Sequence, residues 1–242
     1  MLKSATIGAS LLAPPHSVEA SQQDGDVNST SARPPISKAV LDAFSAASFD
    51  LYSKLNTGRA GGNEFKAFAT SFSILFRHFG EVGVMEHVSR RVSDSNIFRK
   101  PMDPAFIEQV ISTAQKSRLT INRTLAVNAL AQSQKEWPTV QAIYYESGLQ
   151  GLTEYSIFSL HRYADEVARC GGLRAGRLEG SSGLVRPVFF GGACAAVAVA
   201  SLYLATWGFM EAAGIIAVTG GAGAVAVATA GVAVAVAGMF CA

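Results

Sequence analysis

Charge is almost missing from the last quarter of this chain. Between Pro187 and Ala242 the only formally charged side chain is Glu211, whereas the whole chain carries 20 Lys and Arg and 18 Asp and Glu residues. A long segment without charges is not an ordinary solvated surface. It must be buried in protein, stacked in strands or placed in a membrane.

Other absences exclude particular classes of protein. Three cysteines, at positions 170, 194 and 241, are too few and too widely spaced for a disulfide framework or a CxxC metal site. The net charge of +2, with no run of basic residues interleaved with aromatics, excludes a nucleic-acid binder. No segment alternates β-branched and polar residues convincingly, so the sequence predicts no sheet.

Catalytic motifs are also missing, because the sequence contains no GxSxG, Walker A, GxGxxG or HExxH pattern. The nearest approach to a metal pair is His78 with Glu81, and the nearest to a nucleophilic site is His161–Asp165 beside Cys170. Exposed helix residues explain both groups more simply. We therefore predict no enzyme activity, no metal and no cofactor.

The first 36 residues are rich in Ser, Pro, Gln and Asp and show no sustained period, which predicts a disordered leader. Two alternatives stay open for this segment. Lys3 before the short apolar stretch 5–13 weakly resembles a cleaved signal peptide, although Pro14 and Pro15 interrupt it. A serine-rich leader also suits a type III secretion signal.

Residues 37–170 place apolar side chains at three- and four-residue steps, which predicts an all-α amphipathic bundle. From Asp103-Pro104, a cap and first-turn signal, the pattern is expected to run to Trp137-Pro138. An aromatic stripe nearer the N-terminus is interpreted as part of a helix–helix core rather than as a binding site for a ligand or partner. It consists of Phe65, Phe68, Phe72, Leu75, Phe76 and Phe79. We expect a chain ending near Gly183 to be soluble and strongly helical.

A Gly- and Arg-rich linker follows over 171–186, and a two-helix transmembrane hairpin is predicted over 187–242. Its spans cover about 188–207 and 215–240, each long enough to cross a bilayer. Glu211, with Gly208 and Gly214, marks the turn between them. A hairpin buried in a soluble protein and aggregating strands are the alternatives.

Basic residues set the expected orientation. Arg174, Arg177 and Arg186 precede the first span, and no basic residue follows it. Because positive charge stays on the cytoplasmic side, we expect an integral membrane protein with its helical domain and C-terminus in the cytosol. Glu211 would then lie at the far surface of the bilayer.

Small residues dominate the second span. Small side chains at four-residue steps let helix backbones approach closely, on the first span of the same chain or, alternatively, in a homo-oligomer. The glycines predicted to serve this packing are Gly220, Gly221, Gly223, Gly231 and Gly238.

The apolar tail, an Ala-, Gly- and Val-rich segment after amphipathic helices, resembles the hydrophobic hairpin of colicin-type pore-forming domains over about the last 55 residues. In those domains the surrounding helices sheathe the hairpin. The layout also resembles chlamydial inclusion-membrane proteins and other secreted effectors, which pair a bilobed hydrophobic segment with a cytosolic domain. The function expected first is a membrane-anchored helical interaction protein, of the secreted bacterial effector kind, with a protein partner. The alternative is a colicin-like pore-forming toxin or bacteriocin.

Overall fold

The computed structural model describes residues 36–117, 119–170 and 191–240. The predicted leader (except residue 36) and the linker 171–186, with Arg174, Arg177 and Arg186, lie outside the described residues. The expectations attached to them therefore stay predictions.

Throughout the described ranges the chain is α-helical and contains no strand, which confirms the all-α fold class with a C-terminal pair of apolar helices. Two short 3-10 turns, Ile97–Arg99 and Gln134–Glu136, stand between longer elements. The helices are α1 (Lys38–Asn56), α2 (Gly62–Glu81), α3 (Val84–Ser95), α4 (Pro104–Ala114), α5 (Arg123–Ser133), α6 (Trp137–Arg169), α7 (Gly191–Ala212) and α8 (Gly220–Met239).

Side-chain caps decide where α4 and α5 begin. Asp103 accepts a hydrogen bond from the Ala105 amide at 2.8 Å, with proline in the first turn, as the sequence predicted. The single pattern expected up to residue 137 is instead divided. Asn122 accepts a hydrogen bond from the Leu125 amide at 3.0 Å and starts α5 as a separate helix.

The two apolar helices, α7 and α8, pack on each other in the middle of the bundle. Helices α4 and α6 cover α7, while α1, α4 and α5 cover α8. Both apolar helices are largely buried: in each, 78% of an 18-residue apolar segment is covered by the rest of the protein. We call α1–α6 the sheath and α7–α8, with the connection between them, the hairpin.

Aromatic rings of α2 hold α7 in place. The Phe76 ring meets the Trp207 ring edge-on, with centroids 4.8 Å apart, and Phe79 stacks on the same indole at 5.8 Å. Tyr203, one turn earlier on α7, lies 5.9 Å from Phe76. All but Phe76 are completely buried. The predicted aromatic stripe is thus core, as expected, and the helix it grips belongs to the hairpin.

Sheath and hairpin therefore share one hydrophobic core. The inward faces of α1, α2 and α6 pack on or around α7 and α8, so the helical domain expected over 37–170 has no core separate from that of the hairpin. Removing the hairpin would expose those faces to water.

We expect a chain ending at Cys170 to lose its fixed tertiary structure. Deleting α7 and α8 removes the apolar partners of the phenylalanine stripe, and exposed apolar surface of that size promotes collapse and association. Near-ultraviolet circular dichroism should be lost while much far-ultraviolet helical signal remains. A monomeric truncated chain with a cooperative unfolding transition would contradict the shared core.

Candidate functional site: the sheathed hairpin

Both hairpin helices have the length of a bilayer crossing. Helix α7 has 22 residues and α8 has 20, so at 1.5 Å per residue each is about 30 Å long, close to the thickness of a hydrocarbon core. Within the described ranges these two helices are the ones long and apolar enough to cross a membrane. In length and composition, the hairpin can cross a bilayer twice.

Two glycines bring the hairpin backbones together. A Cβ atom added to Gly231 would lie 2.7 Å from the amide nitrogen of Ala205, and one added to Gly208 would lie 2.8 Å from the Cα of Ala228. Gly231 was among the predicted packing residues. Gly208, which the sequence places only at the turn, lies on α7 and is a packing residue as well. Small residues on both helices permit this close approach.

Two further predicted glycines make looser contacts. A Cβ at Gly238 would reach Val197 of α7 at 3.7 Å, an ordinary van der Waals contact. A Cβ at Gly223 would instead meet Thr219, one turn earlier in the chain, at 2.2 Å. The structure therefore brings Gly231 and Gly238 to α7 but not Gly223.

The connection between the helices reaches the protein surface. Gly220 and Gly221, the remaining predicted packing glycines, lie here in open space, and Gly220 adopts a positive φ of 73° as α8 begins. We call residues 212–222 the tip. Its exposed members are Ala212, Ala213, Gly214, Ala217, Gly220, Gly221 and Ala222, all small and uncharged.

Glu211 lies at the base of the tip, as the sequence predicted for the turn, and beyond the expected end of the first span. One carboxylate oxygen accepts a hydrogen bond from the Trp207 indole nitrogen at 3.0 Å, and the other accepts one from the Thr219 hydroxyl. The side chain thus connects the end of α7 with the residue before α8.

Burial raises the pKa of Glu211 to about 7, and the hydrogen bonds from Thr219 and Trp207 offset only part of that shift. None of the described Lys and Arg side chains forms an ion pair with Glu211. The carboxyl is therefore poised to change charge near neutral pH.

Few polar contacts join the hairpin to the sheath. They are Thr153 Oγ1 with Tyr203 Oη at 2.5 Å, Ser201 Oγ to Ser133 Oγ at 3.1 Å, Tyr163 Oη to Ala237 O at 3.0 Å, and Arg91 Nε to Ile215 O at 3.1 Å. The hydroxyl of Thr229, buried in the middle of α8, has no hydrogen-bond partner. Apolar packing, rather than polar contact, holds the hairpin in place.

His78 makes contacts that anchor the fold. His78 Nε2 accepts a hydrogen bond from the Ser37 amide at 2.9 Å, and its Nδ1 lies 3.7 Å from the Glu81 carboxylate. His78 is thus partly buried and anchors the start of α1, a role that no sequence pattern indicates. Among the described residues, no three His, Cys, Asp or Glu side chains are grouped to hold a metal ion.

Comparison with protein-family models, with curated proteins and with solved structures gives no significant match to this chain. The hairpin and its surroundings are therefore the features from which we infer a function.

Substituting Gly231 with alanine should destabilise the fold. The new methyl group meets the backbone of Ala205, and overpacking of this kind costs about 1 to 3 kcal/mol, partly offset by the better helix propensity of alanine. Gly221→Ala is the matched control, because its Cβ enters open space on the same helix. Denaturant unfolding should show Gly231→Ala less stable than wild type and Gly221→Ala equally or more stable. Equal loss in both variants would contradict the close helix approach.

Replacing Glu211 with glutamine should remove a pH dependence of stability. The folded state binds the Glu211 proton more tightly than the unfolded chain, so stability falls as pH rises from 4.5 to about 7 and then levels off. The shift corresponds to about 1 to 3 kcal/mol. The difference in the free energy of unfolding between Glu211→Gln and wild type should therefore be about 1 to 3 kcal/mol larger at pH 8 than at pH 5. A difference that does not vary with pH would contradict the assignment.

Proposed function

We propose that this protein inserts into membranes: in water it keeps its apolar hairpin inside the helical sheath, and at a bilayer it transfers the hairpin into the lipid. One observation supports the proposal above all. Two adjoining helices of bilayer length, with no charge except Glu211 near their connection, are buried in the middle of the bundle.

The hairpin suits both surroundings. A helix that is apolar on all sides fits either a protein core or a bilayer, whereas a one-sided helix such as α2 fits neither completely. A helix also satisfies its own backbone hydrogen bonds in lipid. Transfer breaks the few side-chain hydrogen bonds to the sheath, each worth about 1 kcal/mol net, and leaves the apolar surface of α7 and α8 out of water.

The two helices are suited to move together. The close approaches of Gly231 to Ala205 and of Gly208 to Ala228 lie within the hairpin. Packing of small residues stabilises helix pairs in lipid as it does in protein. We therefore propose that the hairpin crosses as a packed pair, led by its exposed tip, while α1–α6 stay at the surface from which it entered.

Anchoring is the favoured outcome of insertion. Neither hairpin helix presents a polar face, and a water-filled path needs a polar lining or exposed backbone. The inserted protein would then be an integral membrane protein whose amphipathic helices, on the cytosolic side, are free to bind a protein partner. The alternative is a colicin-like pore former, and burial of the hairpin within a sheath is the observation that favours it.

A reversible disulfide between sheath and hairpin tests whether the hairpin must leave the sheath in order to insert. Ser133 on α5 and Ser201 on α7 face each other with their hydroxyl oxygens 3.1 Å apart, so cysteines at both positions should form a disulfide between sheath and hairpin. Cys170, which is free and exposed, is changed to serine to prevent mispairing. Oxidised protein should not become resistant to alkaline carbonate extraction from vesicles, and a reductant should restore insertion.

Two controls separate the effect of this disulfide from other effects of reduction. Cys194 already takes part in a disulfide, so the Cys170→Ser parent is measured with and without reductant, and Ser201→Cys alone under oxidation. Insertion by the oxidised double variant equal to that of the parent would refute the storage proposal. Release of a trapped dye during insertion would decide for the pore, and sealed vesicles would decide for the anchor.

A further inference from the structure

We propose that Glu211 is a proton gate on membrane insertion, so that the hairpin crosses the bilayer only from molecules in which this carboxyl is neutral. The inference rests on the proposed function and adds its regulation.

The position of Glu211 makes it the residue on which crossing depends. It is the one formally charged side chain between residues 191 and 240. It lies at the base of the tip, which already reaches the surface. A hairpin that enters tip first must carry this carboxyl through the hydrocarbon before its two spans are in place. An ionised carboxylate near the bilayer centre is costly, whereas the protonated group is much less so.

Among the described residues, no Lys or Arg side chain is paired with the Glu211 carboxylate. Its hydrogen-bond donors in the described part of the chain, the Trp207 indole and the hydroxyl and backbone amide of Thr219, are neutral and belong to the hairpin. They therefore travel with Glu211, and none can carry a positive charge into the membrane to neutralise it.

The charged neighbours belong to the sheath. Lys116, just beyond α4, lines the same cavity of about 310 Å³ as Glu211, together with the neutral Thr113. Arg91 of α3 donates to the carbonyl oxygen of Ile215 in the tip rather than to the carboxylate. Neither side chain forms an ion pair with Glu211. The hairpin leaves both behind when it moves, and residues 191–240 contain no basic side chain of their own. Protonation is therefore the way in which the carboxylate loses its charge during crossing.

The gate acts on the crossing step and does not open the sheath. Because burial raises the pKa of Glu211 to about 7, protonation stabilises the sheathed fold relative to the unfolded chain. Acid therefore does not release the hairpin by unfolding the protein. Instead, the rate of insertion should follow the protonated fraction, level below pH 6 and falling toward tenfold per pH unit above pH 7.

Tryptophan quenching measures this rate directly. In Trp137→Phe, Trp207 is the only indole left in the chain, and vesicles of phosphatidylcholine and phosphatidylglycerol with brominated acyl chains quench it when the hairpin enters lipid. With a midpoint near 7, insertion should be about 30-fold slower at pH 8.5 than at pH 6. Glu211→Gln in the same background should insert at both pH values at the rate of the parent at pH 6.

The controls distinguish the gate from a general effect of acid. Glu146→Gln, which removes an exposed carboxylate from the sheath, should keep the full pH dependence, and so should Glu211→Asp, which keeps a titrating group at the site. If Glu211→Gln inserts with the same pH dependence as its parent, the gate is refuted while the proposed function stands. If neither protein is quenched at any pH, both proposals fail.

Discussion

Burial of an apolar helix pair, charged only at Glu211, is the constraint on which the rest of this structure depends. Helices α7 and α8 cannot face water on any side, and each of the surrounding helices has one apolar face that needs a partner. Packing them together satisfies both requirements at once. The packing of the six surrounding helices therefore depends on the two central ones. When the hairpin moves into lipid, the sheath loses the apolar contacts that keep it closed.

Much of the fold was readable from the sequence. The hairpin, its turn at Glu211, the phenylalanine stripe and the cap at Asp103 all follow from local periodicity and residue chemistry. The surroundings of the hairpin did not follow, because a helix apolar on every side looks the same whether protein or lipid covers it. Gly231 was predictable from its spacing with other small residues. Its counterpart Gly208 needed the register of α7 on α8, which depends on tertiary packing.

Other features were hidden for the same reason. Asn122 starts a helix inside an unbroken apolar pattern, and only its hydrogen bond to the Leu125 amide reveals the boundary. His78 accepts a hydrogen bond from the Ser37 amide, 41 residues away along the chain. The surroundings of Glu211 are assembled from the end of α4, the tip and α7 together. Sequence spacing reports neighbours on one helix, whereas these contacts join elements that are distant in the chain.

The chain order of the elements has a consequence for synthesis. Helices α1–α6 leave the ribosome before the hairpin around which they pack, and α1 packs against α8, the last helix of the described fold. The nascent bundle must therefore hold its apolar faces without their final partners until α8 emerges. During that interval two processes compete for the newly made hairpin: packing against α1–α6, and recognition by the membrane-insertion machinery, which binds long apolar segments. The faster the first six helices pack around the emerging hairpin, the shorter is the time for which its apolar surface lies exposed.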